Sequence, residues 1–173
     1  AITSVQAPVL TTTQVAALTS AQLEVIETAD LSSMTSTQIR SITTTAVSGL
    51  TTAQVVALTS TQAAAVTTAQ IVRLSTDQLS AMETTDLQAL STSQVDALTT
   101  VQLAGVSTSQ VAALTTSQIR FVDQFSTDQL VAITSVQAPV LTTTQVAALT
   151  SAQLEVIETA DLSSMTSTQI RSI

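Results

Sequence analysis

The chain repeats itself every eight residues from one end to the other. With Ile2 as the first position, p1, the octads run in register to Phe121, resume at Phe125 and close at Ser172, twenty-one in all. A short fixed period defines a solenoid or stacked array, in which each unit contacts only its neighbours. A single octad cannot bury an apolar face by itself. The whole of 1–173 is therefore expected to be one continuous array, and length does not count domains here.

The positions divide cleanly. Position p1 is always a sizeable apolar residue: Leu, Ile, Val, Met, or Phe125. Position p6 is Val, Ile or Leu in eighteen octads and Ala in three, at Ala7, Ala63 and Ala138. Position p2 is Ser or Thr in eighteen octads and p3 in all twenty-one. Position p5 is Gln in seventeen, Asp in three and Ala46 once. The run p2–p5 thus reads Ser/Thr-x-x-Gln before an apolar residue, which is the capping-box signature of a helix start. One such tetrad is common by chance; seventeen in phase are not.

Three architectures compete. In one long helix the p1 side chains would drift by about 80° per octad, so no partner could cover them, and a cap every eight residues would be useless. A β-solenoid suits the Thr and Val content, but its tight turns favour Gly, Asn or Asp at positive φ. The chain has two Gly and no Asn, and it lacks the Gly-rich Ca²⁺-binding roll repeat. The expected class is therefore all-α: a compact solenoid of very short helices, one per octad, with a β-solenoid as the alternative. Helices this short are unstable alone. They must be held by p1 and p6 in a continuous core, with the small p8 residues letting successive helices approach.

A longer repeat overlies the octads. Residues 1–42 are identical to residues 132–173, an offset of 131 that equals sixteen octads plus the inserted Val122, Asp123 and Gln124. The chain is one 131-residue unit, 1–131, with a partial second copy, 132–173. The insertion predicts one longer helix over residues 117–124, with Phe121 and Phe125 filling extra volume beside it. Pro8 and Pro139 at p7 remove a backbone donor and predict helices that stop early. In the same octads the apolar bulk is expected to move from p6 to Val9 and Val140.

Composition excludes more than it identifies. Four Arg and no Lys stand against twelve carboxylates, a net charge of −8. That argues against nucleic acid, whose binding rests on neutralising phosphates, and against a polybasic membrane contact. No apolar run approaches the ~18 residues that span a bilayer, so no membrane insertion is expected. With no Cys, His, Tyr or Lys, a nucleophile–base pair cannot be assembled, and neither catalysis nor a cofactor is expected.

The candidate chemistry is sparse. Three octads exchange the p2 hydroxyl for Glu and the p5 Gln for Asp together: Glu27 with Asp30, Glu83 with Asp86, and Glu158 with Asp161. The coupled change implies that p2 and p5 face each other. Carboxylates at i, i+3 are weak candidates for Ca²⁺, which needs six or more oxygens. Otherwise Thr28, Thr84 and Thr159 take over the caps and the acids favour the positive helix start. The Ser/Thr rows at p2 and p3 would form hydroxyl ladders suited to capping, to ordering water on an ice-binding face, or to glycosylation.

The string Leu-Thr-x-x-Gln-Val-x-Ala-Leu at residues 10–18 and 50–58 resembles the Thr/Gln-rich arrays of very long secreted or surface proteins of Gram-negative bacteria, often described as adhesin-like. That resemblance implies a structural segment of an extracellular or cell-surface bacterial fibre or stalk, self-assembling or covalently continuous. A repetitive binding module for ice, glycan or Ca²⁺ is the alternative. Residues 50–57 also resemble the first helix of the TAL-effector DNA-binding repeat, but that unit is about 34 residues long and basic, so DNA binding is rejected. Both ends of the array have the composition of its middle, and a solenoid without polar caps exposes its core. Self-association, end to end or lateral, is the expected partnership.

Overall fold

The chain turns each corner without a single left-handed residue. In the computed structural model, which describes residues 2–173, no described residue, glycine included, has positive φ. Each corner is made by two extended residues, p1 and p2, as at Met34 (φ −66°, ψ 148°) and Thr35 (φ −73°, ψ 156°). A helix of four to six residues follows from p3. This is why an array with two Gly and no Asn can bend every eight residues. The described residues contain eighteen short α-helices, three 3₁₀ segments and no strand. The fold is an all-α solenoid of short helices.

Local sequence explains each start. At Thr51 the hydroxyl accepts from the Gln54 amide at 3.1 Å, and the Gln54 side-chain oxygen accepts the Thr51 amide at 2.8 Å. The same reciprocal box opens most of the helices, Thr59–Gln62 and Ser107–Gln110 among them. The last turn closes when the p1 amide returns to the p6 carbonyl, as Met82 does to Leu79 at 3.1 Å.

The pitch of the solenoid falls between three octads and four. A helix packs on the helix three octads further along: Ser36–Ser41 on Ser60–Ala65, and Ser60–Ala65 on Thr84–Ala89. The glutamine side chains instead reach the helix four octads back, to carbonyls 31 and 28 residues away. One turn therefore takes about three and a half octads, and adjacent turns are staggered by half an octad. The p6 side chains Leu23, Val55, Ile71 and Leu79 are fully buried along the axis, with p1 residues such as Leu50, Leu74 and Leu98 closing the core around them. Position p8 faces p3 of the turn below. A Cβ on Gly49 would stand 2.6 Å from the Ser20 Cβ and backbone oxygen, closer than any real Cβ contact.

Three expectations are corrected. The insertion does not lengthen a helix: residues 116–118 form a turn and Val122–Gln124 a 3₁₀ segment. The ladder breaks because the Arg120 amide turns back to the Gln118 carbonyl at 2.7 Å instead of continuing the helical register. Phe125 is buried and Phe121 packs against the core, as expected. The proline octads form 3₁₀ turns, Ala7–Val9 and Ala138–Val140, but their apolar bulk has not moved. Ala7 and Ala138 keep the axial position, fully buried, while Val9 and Val140 are exposed. Finally, Thr28, Thr84 and Thr159 are the first helical residues and not the caps. The caps are Glu27, Glu83 and Glu158, whose side chains make no capping bond.

Candidate functional site

A helix leaves its first amides and its last carbonyls without partners. In this array one side chain serves both deficits. The oxygen of a p5 glutamine completes the box at the start of most helices. Beyond the first turn, the glutamine Nε2 amide donates to carbonyls of the preceding turn, in most octads the p6 and p1 pair that ends a helix. Gln62 reaches the Leu31 oxygen at 2.9 Å and Met34 at 2.7 Å. Gln70 reaches Ile39 at 2.9 Å and Ile42 at 2.7 Å. Gln110 reaches Leu79 at 3.0 Å and Met82 at 2.9 Å. These glutamines are almost wholly buried, where an unpaired polar group costs about 1–3 kcal/mol. The chemistry dictates the residue type. Glu could complete the box but has no donor for the carbonyls, and Asn is one methylene shorter.

The ladder has gaps, and the acidic octads are among them. Asp86 is buried at a p5 site and cannot donate to Val55 or Leu58. Its carboxylate instead accepts the Ser60 hydroxyl at 2.6 Å, across 26 residues. Asp30 and Asp161 are also buried. Burial, with Glu158 beside it as the second cause, raises the Asp161 pKa above its ordinary value of 3.8. That charge coupling agrees with p2 and p5 facing each other. Ala46 makes a fourth gap, since its backbone amide is capped by Thr43 but it has no side chain to reach back. Among the described residues no group of three or more His, Cys, Asp or Glu converges as a metal site would. Glu27, Asp30, Glu83, Asp86, Glu158 and Asp161 stay as three separate pairs.

The insertion changes the register for one turn. Gln129 donates to the carbonyls of Leu103 and Val106, 26 and 23 residues back, and Gln137 to Val111 and Leu114 at the same offsets. Three residues have been added and one octad skipped, so that turn is shorter than the others. Val95 and Leu98 belong to the octad passed over. By Gln169, which reaches Ala138 and Leu141, the offsets are again 31 and 28.

Sequence reasoning read p5 only as a capping residue and missed its second bond. The signal was available: a capping box accepts Glu as readily as Gln, yet no p5 position is Glu. It also missed that two turns make a larger unit. Glu27/Asp30 recurs as Glu83/Asp86, and Gly49 as Gly105. Each recurrence falls seven octads on, which is two turns of the solenoid.

Residues 23–60 and 79–116 match the family model described as the ALTTAQ repeat. The matched stretches begin at Leu23 and Leu79, so the same two-turn spacing separates them. No curated protein and no solved structure matches the chain. The chain is a tandem-repeat array, similar over these stretches to the ALTTAQ repeat. Among the described residues no helix is long and apolar enough to cross a membrane.

Proposed function

We propose that the chain is a structural segment of an extracellular or cell-surface bacterial fibre or stalk, whose work is to supply length and stiffness. The observation that carries this reading is the glutamine ladder. It ties each turn to the one before by the same two bonds and prescribes no final turn. A solenoid of this kind grows by adding turns, with a stability that is roughly a sum of repeat and interface terms. The acidic charge, which keeps such surfaces soluble, and the resemblance to secreted Thr/Gln arrays support a location outside the cell.

Scattering on two lengths of array tests the rod. With helices packed about 10 Å apart, adding one copy of the long repeat should lengthen the particle by several tens of ångströms at constant cross-section. A cross-section that grows with length would overturn it. Antibodies against the array should decorate intact cells of the source bacterium; labelling only after lysis would remove the surface location.

A further inference from the structure

The exposed charges of the array divide between opposite sides of the rod. Asp77 and Asp128 are exposed, and the bonds between turns set their octads in one column. The octad of Asp77 carries the two octads of the next turn, because its Leu74 and Leu79 carbonyls accept from Gln102 and Gln110. Gln129, in the octad of Asp128, bridges those same two octads at Leu103 and Val106. Asp128 therefore stands two turns above Asp77. The insertion makes this so. Asp128 follows Asp77 by only six octads and three residues, and the 3₁₀ segment fills the seventh place. The octad of exposed Glu24 lies seven octads before that of Asp77, the same two turns. Glu27 and Glu83 extend the column at the corner that follows, and Glu155 and Glu158 lie alongside it; all four are exposed.

Three of the four arginines take the other side. The octad of Arg40 precedes that of Asp77 by five octads, and the octad of Arg120 follows it by five. Five octads are one turn and a further one and a half octads, close to half a turn. Arg40 and Arg120 therefore flank the line opposite Asp77. Arg171 stands two turns above Arg120. Gln137 and Gln145 rest on the Leu114 and Arg120 carbonyls, and Gln169 bridges their octads at Ala138 and Leu141. All three arginines are exposed. Asp96 shares their side, and Asp123 and Arg73 lie between the two sides. The spacings agree as well. Asp77 to Asp128 and Arg120 to Arg171 are both 51 residues, or two turns, about 20 Å for helices packed about 10 Å apart. A parallel neighbour shifted to set Arg120 on Asp77 also sets Arg171 on Asp128. One exposed ion pair is weak, but pairs held in register on stiff rods act together. We infer that this chain packs side by side with a second copy, the arginine side of one rod against the carboxylate side of the next. Because the two sides are opposite, such a row does not close. The inference rests on the rod reading and names its lateral contact.

Sedimentation of the full chain over a wide concentration range should show species that grow at low salt. They should disperse at about 1 M salt, where the screening length is about 3 Å. In the triple variant Arg40→Gln, Arg120→Gln, Arg171→Gln the low-salt association should weaken at least tenfold with unchanged helicity. The triple variant Ala53→Asp, Ser109→Asp, Ala160→Asp lowers the net charge by the same amount, at exposed p4 sites half an octad from the acidic column. It should associate at least as well as the wild type. Equal weakening by the two triple variants would overturn the inference, since overall charge alone would then explain both. A wild-type chain that is monomeric throughout at low salt would overturn it too, as would association undiminished at 1 M salt. Scattering from the dispersed arginine variant still measures the rod, so the contact and the rod fail separately.

Discussion

Residues 1–42 and 132–173 have the same sequence and different surroundings. Ile133, Leu141 and Ile157 are buried because the turn built by residues 103–131 covers them; their copies Ile2, Leu10 and Ile26 are only partly buried. On the opposite face the order reverses. Leu23 and Leu31 are fully buried under the following turn, while Leu154 and Leu162 are partly exposed. The hydrogen bonds within each helix start are the same in both copies: Thr11 with Gln14 and Thr142 with Gln145 each form the reciprocal box. Local sequence therefore decides where a helix starts. The neighbouring turn decides how much of its apolar surface leaves water and whether its glutamine amide and final carbonyls find partners.

The comparison can be broken most forcefully in the core. Leu23→Ala should cost about 2–5 kcal/mol, since its cavity cannot collapse under a covering turn. Leu154→Ala, the same change at a partly open site, should cost less than about 2 kcal/mol. Equal shifts in denaturant midpoint would show that burial by the next turn is not what separates the copies.

The glutamines should sort the same way at a smaller scale. Gln137→Ala removes the box and leaves two buried carbonyls without donors, a loss of about 2–4 kcal/mol. Gln6→Ala should cost only about 0.5–1 kcal/mol, the worth of its half of a cap. A chemical denaturation series on the two variants decides between them, and equal losses would leave the ladder without energetic weight.

Asp161 sharpens the account from the opposite direction. Asp161→Gln restores a donor toward Leu130 and Ile133 and should stabilise by about 1–2 kcal/mol in thermal or urea melts. The pH dependence has a fixed sign. The folded-state pKa is raised above 3.8, so the folded chain holds the proton more tightly than the unfolded one. The penalty from this group is fully present above the folded pKa and gone below 3.8, and stability rises as pH falls through that window. Asp161→Asn should abolish that rise; a wild-type chain with the same slope as the variant would contradict the assignment. The smallest expected effect is at p4. Ala53→Ser, on an exposed position, should change stability by less than about 0.5 kcal/mol.

What was legible in the sequence follows from the same division. The helix starts were readable because Ser/Thr-x-x-Gln is a local device, and p1 and p6 were readable because their apolar character is periodic. The number of octads per turn was not. It depends on how half-staggered layers fit and on side-chain bonds, such as Gln62 to Met34, that join separate turns. The insertion was misread for that reason. Three extra residues look like a longer helix in one dimension, whereas in the solenoid they replace an octad and shorten the turn. The prolines were half legible: Pro8 does reshape its octad, but Ala7 holds the axis because the turn above fixes what can sit there. The acidic pairs were visible as coupled substitutions, while the Ser60 contact to Asp86 joins residues that no local pattern connects.

The most direct test of the central claim uses the internal duplication itself. Amide hydrogen exchange can be followed by NMR on a segmentally labelled chain, comparing residues 2–26 with their identical copies 133–157. If turns stabilise one another through the ladder and the shared core, the amides of 133–149 should exchange at least tenfold more slowly than those of 2–18. Equal protection in the two copies would mean that the octads hold their structure by local sequence alone, and would contradict the account.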